Sequence, residues 1–224
     1  HTAGITAQAH VTSLESLDMA IEAGVDIATH CGVVGVLIPK DTIQKMLQQN
    51  VSCSVLAVTQ HYLDARSDVI ANSLHGKAMT MAKKNHQNLI NAGVPLLIST
   101  DGSVLDEKWS EAAVSTVDPL NELGEGHFNG LLALQEMGME PMTILKSATM
   151  NIAKAYQKDA DIGSLEVGKI ADLVVLDKNP LRDAKHYRSI RMVMKEGVWI
   201  DIESLPLNPV LSGFMLKARE SISQ

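Results

Sequence analysis

The stretch Pro95–Ser103, PLLISTDGS, predicts a buried strand that leads to a carboxylate. Its apolar run, Leu96–Ile98, lies between a proline and a glycine, as is typical of a strand in a parallel sheet. Asp101 follows this run and precedes Gly102, which opens the next loop. In α/β barrels the catalytic groups lie at the carboxyl ends of the strands, so Asp101 is the first candidate site residue.

Two earlier segments repeat this pattern with histidine in place of aspartate. ITAQAH ends on His10 and VDIATH ends on His30, and Ser13 is expected to cap the helix between them. Because the carboxyl ends of parallel strands share one edge, we expect His10, His30 and Asp101 to lie at one rim. Imidazole and carboxylate groups suit a divalent transition metal such as zinc. The residues alone leave two alternatives open, since each histidine could be a hydrogen-bonded core residue and Asp101 could cap a turn.

Composition excludes several classes of protein. The 224 residues are 46% hydrophobic and 20% charged, which is ordinary globular composition. The net charge of −7, without a Lys/Arg cluster, argues against nucleic acid as a main partner. No apolar run approaches the roughly 20 residues of a membrane span, and no signal pattern opens the chain. We therefore expect a cytoplasmic protein, with Cys31 and Cys53 as free thiols.

The texture of the sequence changes near residue 160. Residues 1–160 hold four strand–helix units, whereas residues 161–224 begin with closely spaced glycines and contain a hairpin signal at Glu196-Gly197. A barrel of eight strand–helix units takes about 250 residues, or roughly 30 per unit. The first segment is thus either a small open α/β sheet or the C-terminal half of a barrel. The sequence starts in the middle of a repeat and not on Met, which favours the half-barrel and predicts further residues upstream.

Several segments together resemble the amidohydrolase superfamily, in particular its metal-dependent hydrolases of the imidazolonepropionase and Xaa-Pro dipeptidase type. They are AHV at 9–11, EAGVDIATH at 22–30, STDGS at 99–103, SATMNIAKAY at 147–156 and IGSLEVGKIADLVVLDKNPL at 162–181. The resemblance covers residues 1 to about 200 and corresponds to the C-terminal portion of that family. It implies a (β/α)8 TIM barrel with part of a small accessory β-sandwich. It also implies hydrolysis of C–N bonds, in amides, cyclic amides or dipeptide-like substrates, by hydroxide activated on one or two divalent ions such as zinc.

The resemblance assigns a role to each candidate residue. His10 corresponds to the fifth-strand histidine and His30 to the sixth-strand histidine, both ligands of the more buried metal. Asp101 corresponds to the eighth-strand aspartate, which is a ligand of the other metal and the acid/base for the attacking water. The first-strand His-X-His pair and the fourth-strand lysine or glutamate have no match here. The chain alone is therefore not expected to complete a binuclear site.

Weaker candidates lie outside the strand ends. His61 and Tyr62, in a loop predicted over residues 59–72, and His127, before a predicted helix, are candidate substrate contacts, although a solvated loop and an ordinary helix start are the alternatives. His86, on a predicted helix with polar neighbours, is expected to be exposed. The expected partner is a small-molecule substrate, and a homo-oligomer would cover the open edge of a half-barrel. Two other interpretations stay open: an inactive truncated half-barrel, or a non-catalytic α/β binding module.

Overall fold

A computed structural model describes residues 4–65, 74–101, 124 and 126–205. In this part of the chain, four strands form a parallel sheet in the order β1-β2-β3-β4, and three more form an antiparallel sheet. The parallel strands are β1 Gln8–His10, β2 Ile27–Thr29, β3 Ser52–Val55 and β4 Leu96–Ile98. The predicted parallel sheet is confirmed.

Helices follow each of the parallel strands. They are α1 Leu14–Glu22, α2 Lys40–Gln48, α3 Gln60–Ala65, α4 Leu74–Ala92, α5 Gly126–Glu136, α6 Pro141–Ser147 and α7 Met150–Ala155. Ser13 caps α1 as predicted, because its hydroxyl accepts a hydrogen bond from Ser16 N and the Ser16 hydroxyl accepts one from Ser13 N. None of the described helices has the length and hydrophobicity needed to cross a bilayer.

The core lies between the parallel sheet and its helices. Every residue of β4 is buried, as expected for a strand covered on both faces. The helices contribute fully buried side chains to the same core, among them Leu17, Ile21, Met46 and Leu89. The register pairs Thr29 of β2 with Ser54 of β3, and Ser54 with Leu97 of β4. The carboxyl ends of these strands therefore lie at a common edge.

The antiparallel sheet consists of β5 Leu173–Leu176, β6 Ile190–Lys195 and β7 Val198–Ile200. Strands β6 and β7 form the predicted hairpin around Glu196-Gly197. Both turn residues have positive φ, 51° and 81°, which is the geometry of a two-residue hairpin turn of type I′. A 3₁₀ helix, Ala184–Arg188, joins this sheet to the α/β part, where the Arg188 guanidinium donates a hydrogen bond to Asn129 Oδ1 at 3.0 Å.

The expectation of two free thiols is wrong, because the structure pairs Cys31 with Cys53 as a disulfide. Their Cα atoms are 5.8 Å apart, within the usual range for such a bond. Both residues are fully buried. Cys31 follows β2 and Cys53 lies on β3, so the parallel pairing of these strands brings together two residues that are 22 positions apart.

The prediction of a loop over residues 59–72 is wrong for its first part, because Gln60–Ala65 form helix α3. The Thr59 hydroxyl accepts a hydrogen bond from Tyr62 N at 3.0 Å, as an N-terminal cap does. Tyr62 and Leu63 are buried against Val58 and Met79. A helix this short shows too little periodicity to be recognised from sequence, and the apolar contacts with neighbouring segments stabilise it.

Candidate metal and substrate site

The three predicted ligands lie at the carboxyl edge of the parallel sheet. His10 is the last residue of β1, His30 directly follows β2, and Asp101 is the third residue after β4. The ring centroids of His10 and His30 are 4.7 Å apart, and the rings are tilted by 57°. His30 Nε2 lies 3.9 Å from Asp101 Oδ2. The structure thus places His30 next to both His10 and Asp101.

Two of these residues have an unusual backbone conformation. His30 has φ 60° and Asp101 has φ 49°, in the left-handed region that non-glycine residues rarely occupy. His30 N still donates to Ser54 O at 3.1 Å, so the hydrogen bonds of the sheet continue up to the histidine. The left-handed conformation therefore occurs directly after β2 and three residues after β4. Backbone strain of this kind concentrates at binding and catalytic sites, which is consistent with a functional role for both residues.

The donor atoms are of the right type for zinc. The resemblance assigns His30 and Asp101 to different metals, and His30 Nε2 and Asp101 Oδ2 lie 3.9 Å apart. Within the described residues, however, no three His, Cys, Asp or Glu side chains are grouped closely enough to hold a metal. The described residues therefore fit part of a metal site.

A cavity of about 290 Å³ adjoins the three residues. His10, His30 and Asp101 line it on the side of the sheet. The rest of the described lining comes mainly from the segment after β2, the segment after β3 and helix α4: Thr12, Gly32, Val33, Val34, Leu56, Val58, Ala78, Met79, Ala82, Lys83 and His86. Apolar side chains form most of this lining, so the cavity can hold an apolar group beside the candidate ligands.

His86 is the residue that the sequence interpretation placed wrongly. It is 3% exposed and lines the cavity, whereas an exposed position was expected. Burial lowers the pKa of its imidazole to about 4, so the ring is neutral at pH 7. The helical spacing of Met79, Ala82 and His86 was the available signal, because residues three and four positions apart share one face of a helix.

The three weaker candidates are His61, Tyr62 and His127. His61 is exposed on α3, and His127 is exposed in the first turn of α5. Tyr62 is buried in the small apolar cluster around Val58. None of the three belongs to the described lining of the cavity. Their contact with substrate stays a prediction.

Comparison with known proteins gives a consistent match. The chain fits the sequence profile of the amidohydrolase family over residues 1–200. The solved structure of molinate hydrolase has a TM-score of 0.85 and 36% identity, covering 94% of this chain and 46% of that protein. The structure of phenylurea hydrolase B also has a TM-score of 0.85, with 32% identity and the same coverage of 94% and 46%. An imidazolonepropionase from Brevibacillus brevis is 33% identical over 161 residues, which are 65% of this chain and 35% of the relative. The chain spans less than half the length of each of these proteins.

Proposed function

The chain belongs to the amidohydrolase family, and on this premise we propose that it is part of a metal-dependent hydrolase of C–N bonds. The resemblance inferred from the sequence is therefore confirmed at the level of the family. The observation that carries the proposal is that His10, His30 and Asp101 lie at one sheet edge and line one cavity. The substrates we propose are amides, cyclic amides or dipeptide-like molecules. The names of the two similar hydrolases, molinate hydrolase and phenylurea hydrolase B, support hydrolysis as the reaction type.

The residues of this chain have distinct tasks in the proposed reaction. His10 and His30, as neutral imidazoles, would each hold a divalent ion such as zinc through one ring nitrogen. Such an ion lowers the pKa of water and polarises a carbonyl oxygen. Asp101 would accept the proton of the attacking water and deliver it to the leaving nitrogen as the C–N bond breaks. Its carboxylate lies next to His30, and the side chain is 63% exposed.

The same proposal covers the surroundings of the site. We propose that the four parallel strands are the C-terminal half of a (β/α)8 barrel, with a boundary near residue 160 and part of an accessory β-sandwich after it. The antiparallel β5–β7 sheet supports such a division. The remaining metal ligands would come from residues that correspond to the unmatched half of the relatives. Cytoplasmic location and assembly into a homo-oligomer are further proposals, to be tested by cell fractionation and sedimentation.

Zinc titration of the purified protein, followed by calorimetry, tests the metal site. We expect His10→Asn and His30→Asn each to weaken zinc binding by more than roughly tenfold, the smallest loss usual for residues that merely orient a ligand. His186→Asn is the matched control, because His186 lies on the 3₁₀ helix and contacts Asn179 O. Unchanged zinc affinity in both test variants would rule out the metal site and favour a non-catalytic binding module. A chelator should abolish hydrolysis of an amide, cyclic amide and dipeptide panel, and added zinc should restore it.

A further inference from the structure

The cavity beside the candidate ligands is apolar on one side and polar on the other. Val33, Leu56, Val58 and Met79 contribute apolar walls, whereas His10, His30 and Asp101 lie at the sheet edge. A group that fills the apolar side places its neighbouring atoms next to the candidate ligands. The distribution of apolar and polar lining residues therefore favours a substrate with an apolar substituent next to the bond that is cleaved.

His86 is a polar side chain in this apolar wall. It is 97% buried and lines the cavity; among the described residues, the fully buried side-chain polar atom without a partner is the Tyr187 hydroxyl, not a His86 nitrogen. A substrate that covered the ring nitrogens without a hydrogen bond would leave a buried polar group without a partner, at a cost of roughly 1–3 kcal/mol. The neutral ring has one donor and one acceptor nitrogen to offer. Burial supports this state, because it lowers the pKa of the ring to about 4.

The position of His86 is fixed by two neighbours. A Cβ atom on Gly32 would lie 2.7 Å from His86 Nε2, so the imidazole occupies the space that the absent side chain leaves. Asn85, the preceding residue, donates to Gly32 O at 2.8 Å and to Val36 O at 2.9 Å, and its Oδ1 accepts from Ile38 N at 2.9 Å. These bonds attach helix α4 to the segment that follows His30. The imidazole therefore has a defined place relative to the candidate ligands.

The positive charge of Lys83, which also lines the cavity, is partly balanced by Glu136. Lys83 Nζ lies 3.9 Å from Glu136 Oε2 and donates to Gln60 Oε1 at 3.0 Å. Glu136 Oε2 also accepts from Gln60 N at 2.6 Å, which ties the pair to α3. Among the described lining residues, Lys83 is the one cation that does not depend on histidine protonation. A substrate carboxylate would therefore have to compete with Glu136 for it.

We infer that the cavity takes the apolar substituent of an uncharged amide, and that His86 hydrogen-bonds the polar group of that substrate. This inference rests on the proposed function and narrows it, because it favours neutral amides over dipeptides with free charges. His86 acts as a specificity-determining residue: it lowers the cost of burying an amide in an otherwise apolar wall. It discriminates against a purely hydrocarbon group of the same shape, which would leave the imidazole unpaired.

Binding of three probes to the purified, zinc-treated protein tests this inference. Acetanilide carries a phenyl ring on an uncharged amide; isobutylbenzene has the same shape without polar atoms; alanyl-phenylalanine has a phenyl ring and an amide but two charges. We expect acetanilide to bind most tightly. His86→Phe should weaken acetanilide binding roughly three- to tenfold, as loss of one hydrogen bond predicts. His86→Gln should retain most of it, and isobutylbenzene should bind His86→Phe at least as well as the unmodified protein.

Nitrogen NMR of the His86 ring provides a readout that does not need a variant. Acetanilide should shift the ring nitrogen resonances, and isobutylbenzene should not. Lys84→Gln, on the exposed side of α4, is the control for changes to that helix. Equal acetanilide affinity in the unmodified and His86→Phe proteins, unshifted ring resonances, or tighter binding of the dipeptide would overturn the inference. Absence of acetanilide hydrolysis despite His86-dependent binding would instead count against the proposed function, so the two failures are distinguishable.

Discussion

The parallel and the antiparallel sheet of this protein differ in both burial and the placement of reactive side chains. Every residue of β4 is buried, whereas no residue of β5, β6 or β7 is fully buried. Non-glycine residues of positive φ follow strands of both sheets: His30 directly after β2, Asp101 three residues after β4, and Glu196 directly after β6. Yet the candidate ligands among the described residues all belong to the parallel sheet. Backbone strain therefore does not by itself mark a site.

The direction of the strands explains the difference. In the parallel sheet all carboxyl ends lie at one edge, so residues that follow separate strands can meet there. In the antiparallel sheet successive strand ends lie at opposite edges, and a tight turn at Glu196-Gly197 is the direct connection. We expect substitutions at the parallel edge to change chemistry and substitutions in the antiparallel sheet to change stability. The following predictions test this contrast, starting with the largest effect.

Asp101→Asn in the intact protein should lower turnover by roughly 10²- to 10⁴-fold, because it removes the proposed proton acceptor. The melting temperature should change little, since the Asp101 side chain is 63% exposed. Asp172→Asn is the matched control in the antiparallel sheet, where the Asp172 carboxylate accepts from Lys195 Nζ and Glu196 N, both at 2.7 Å. That variant should keep its turnover and lose some stability. Similar kinetics for the two variants, measured as kcat on one amide substrate, would contradict the contrast.

Acidification should destabilise the parallel region through His86. The folded protein holds the pKa of His86 near 4, whereas an unfolded imidazole titrates near 6.5, so the unfolded state binds more protons between these values. The free energy of unfolding should fall by on the order of 3 kcal/mol as the pH decreases through this window. Lys195 lowers the pKa of Asp172, so the stability from that pair is lost only below the ordinary range of a carboxyl group.

Urea unfolding at a series of pH values measures this effect. His86→Gln cannot titrate, so its unfolding free energy should be nearly flat across the histidine window once the other histidines are accounted for. An equally steep slope in His86→Gln and the unmodified protein would show that His86 is not the group responsible.

Gly32→Ala should destabilise the protein by roughly 1–3 kcal/mol, the usual cost of an inserted methyl group in a packed region. The added Cβ would lie 2.7 Å from His86 Nε2 and 2.9 Å from Ala82 Cβ, so helix α4 would have to move. Thermal or urea unfolding gives the change in free energy. The cost should be less than additive with that of His86→Ala, because the second substitution removes one of the two contacts. Strict additivity would mean that the two residues do not touch.

Glu196→Asn should stabilise the antiparallel sheet by a few tenths of a kcal/mol to about 1 kcal/mol. Glu196 has φ 51° in the hairpin turn, and asparagine tolerates this conformation better than glutamate. Turnover should be unchanged, because neither turn residue belongs to the described lining of the cavity. A lower melting temperature for Glu196→Asn would show that the side-chain contact of Glu196 with Lys195 matters more than the backbone preference.

Local signals accounted for much of the fold. The cap at Ser13, the apolar run Leu96–Ile98 and the turn at Glu196-Gly197 each depend on neighbouring residues, and each was predicted correctly. The positions of His10 and His30 at strand ends also followed from the sequence. Their roles as metal ligands stay predictions, as does the role of Asp101.

Non-local contacts account for what was missed. The disulfide between Cys31 and Cys53 depends on how two strands pair, and neither residue's immediate neighbours reveal it. His86 has polar neighbours in sequence. In the folded chain, however, the face of helix α4 that carries Ala82 and His86 packs against Gly32. The same packing removes the imidazole from water and lowers its pKa. Burial of a single side chain is a property of the assembled elements.

The sequence by itself determined the family of this chain, its alternation of strands and helices, and which residues end its strands. Only the tertiary structure decided that the His10 and His30 rings lie 4.7 Å apart, that Asp101 reaches His30, and that His86 lies in the cavity wall. The physical reason is the distance along the chain over which each kind of interaction acts. Hydrogen bonding within a turn, cap or strand depends on adjacent residues, whereas distances between side chains of separate elements depend on how the whole sheet and its helices pack.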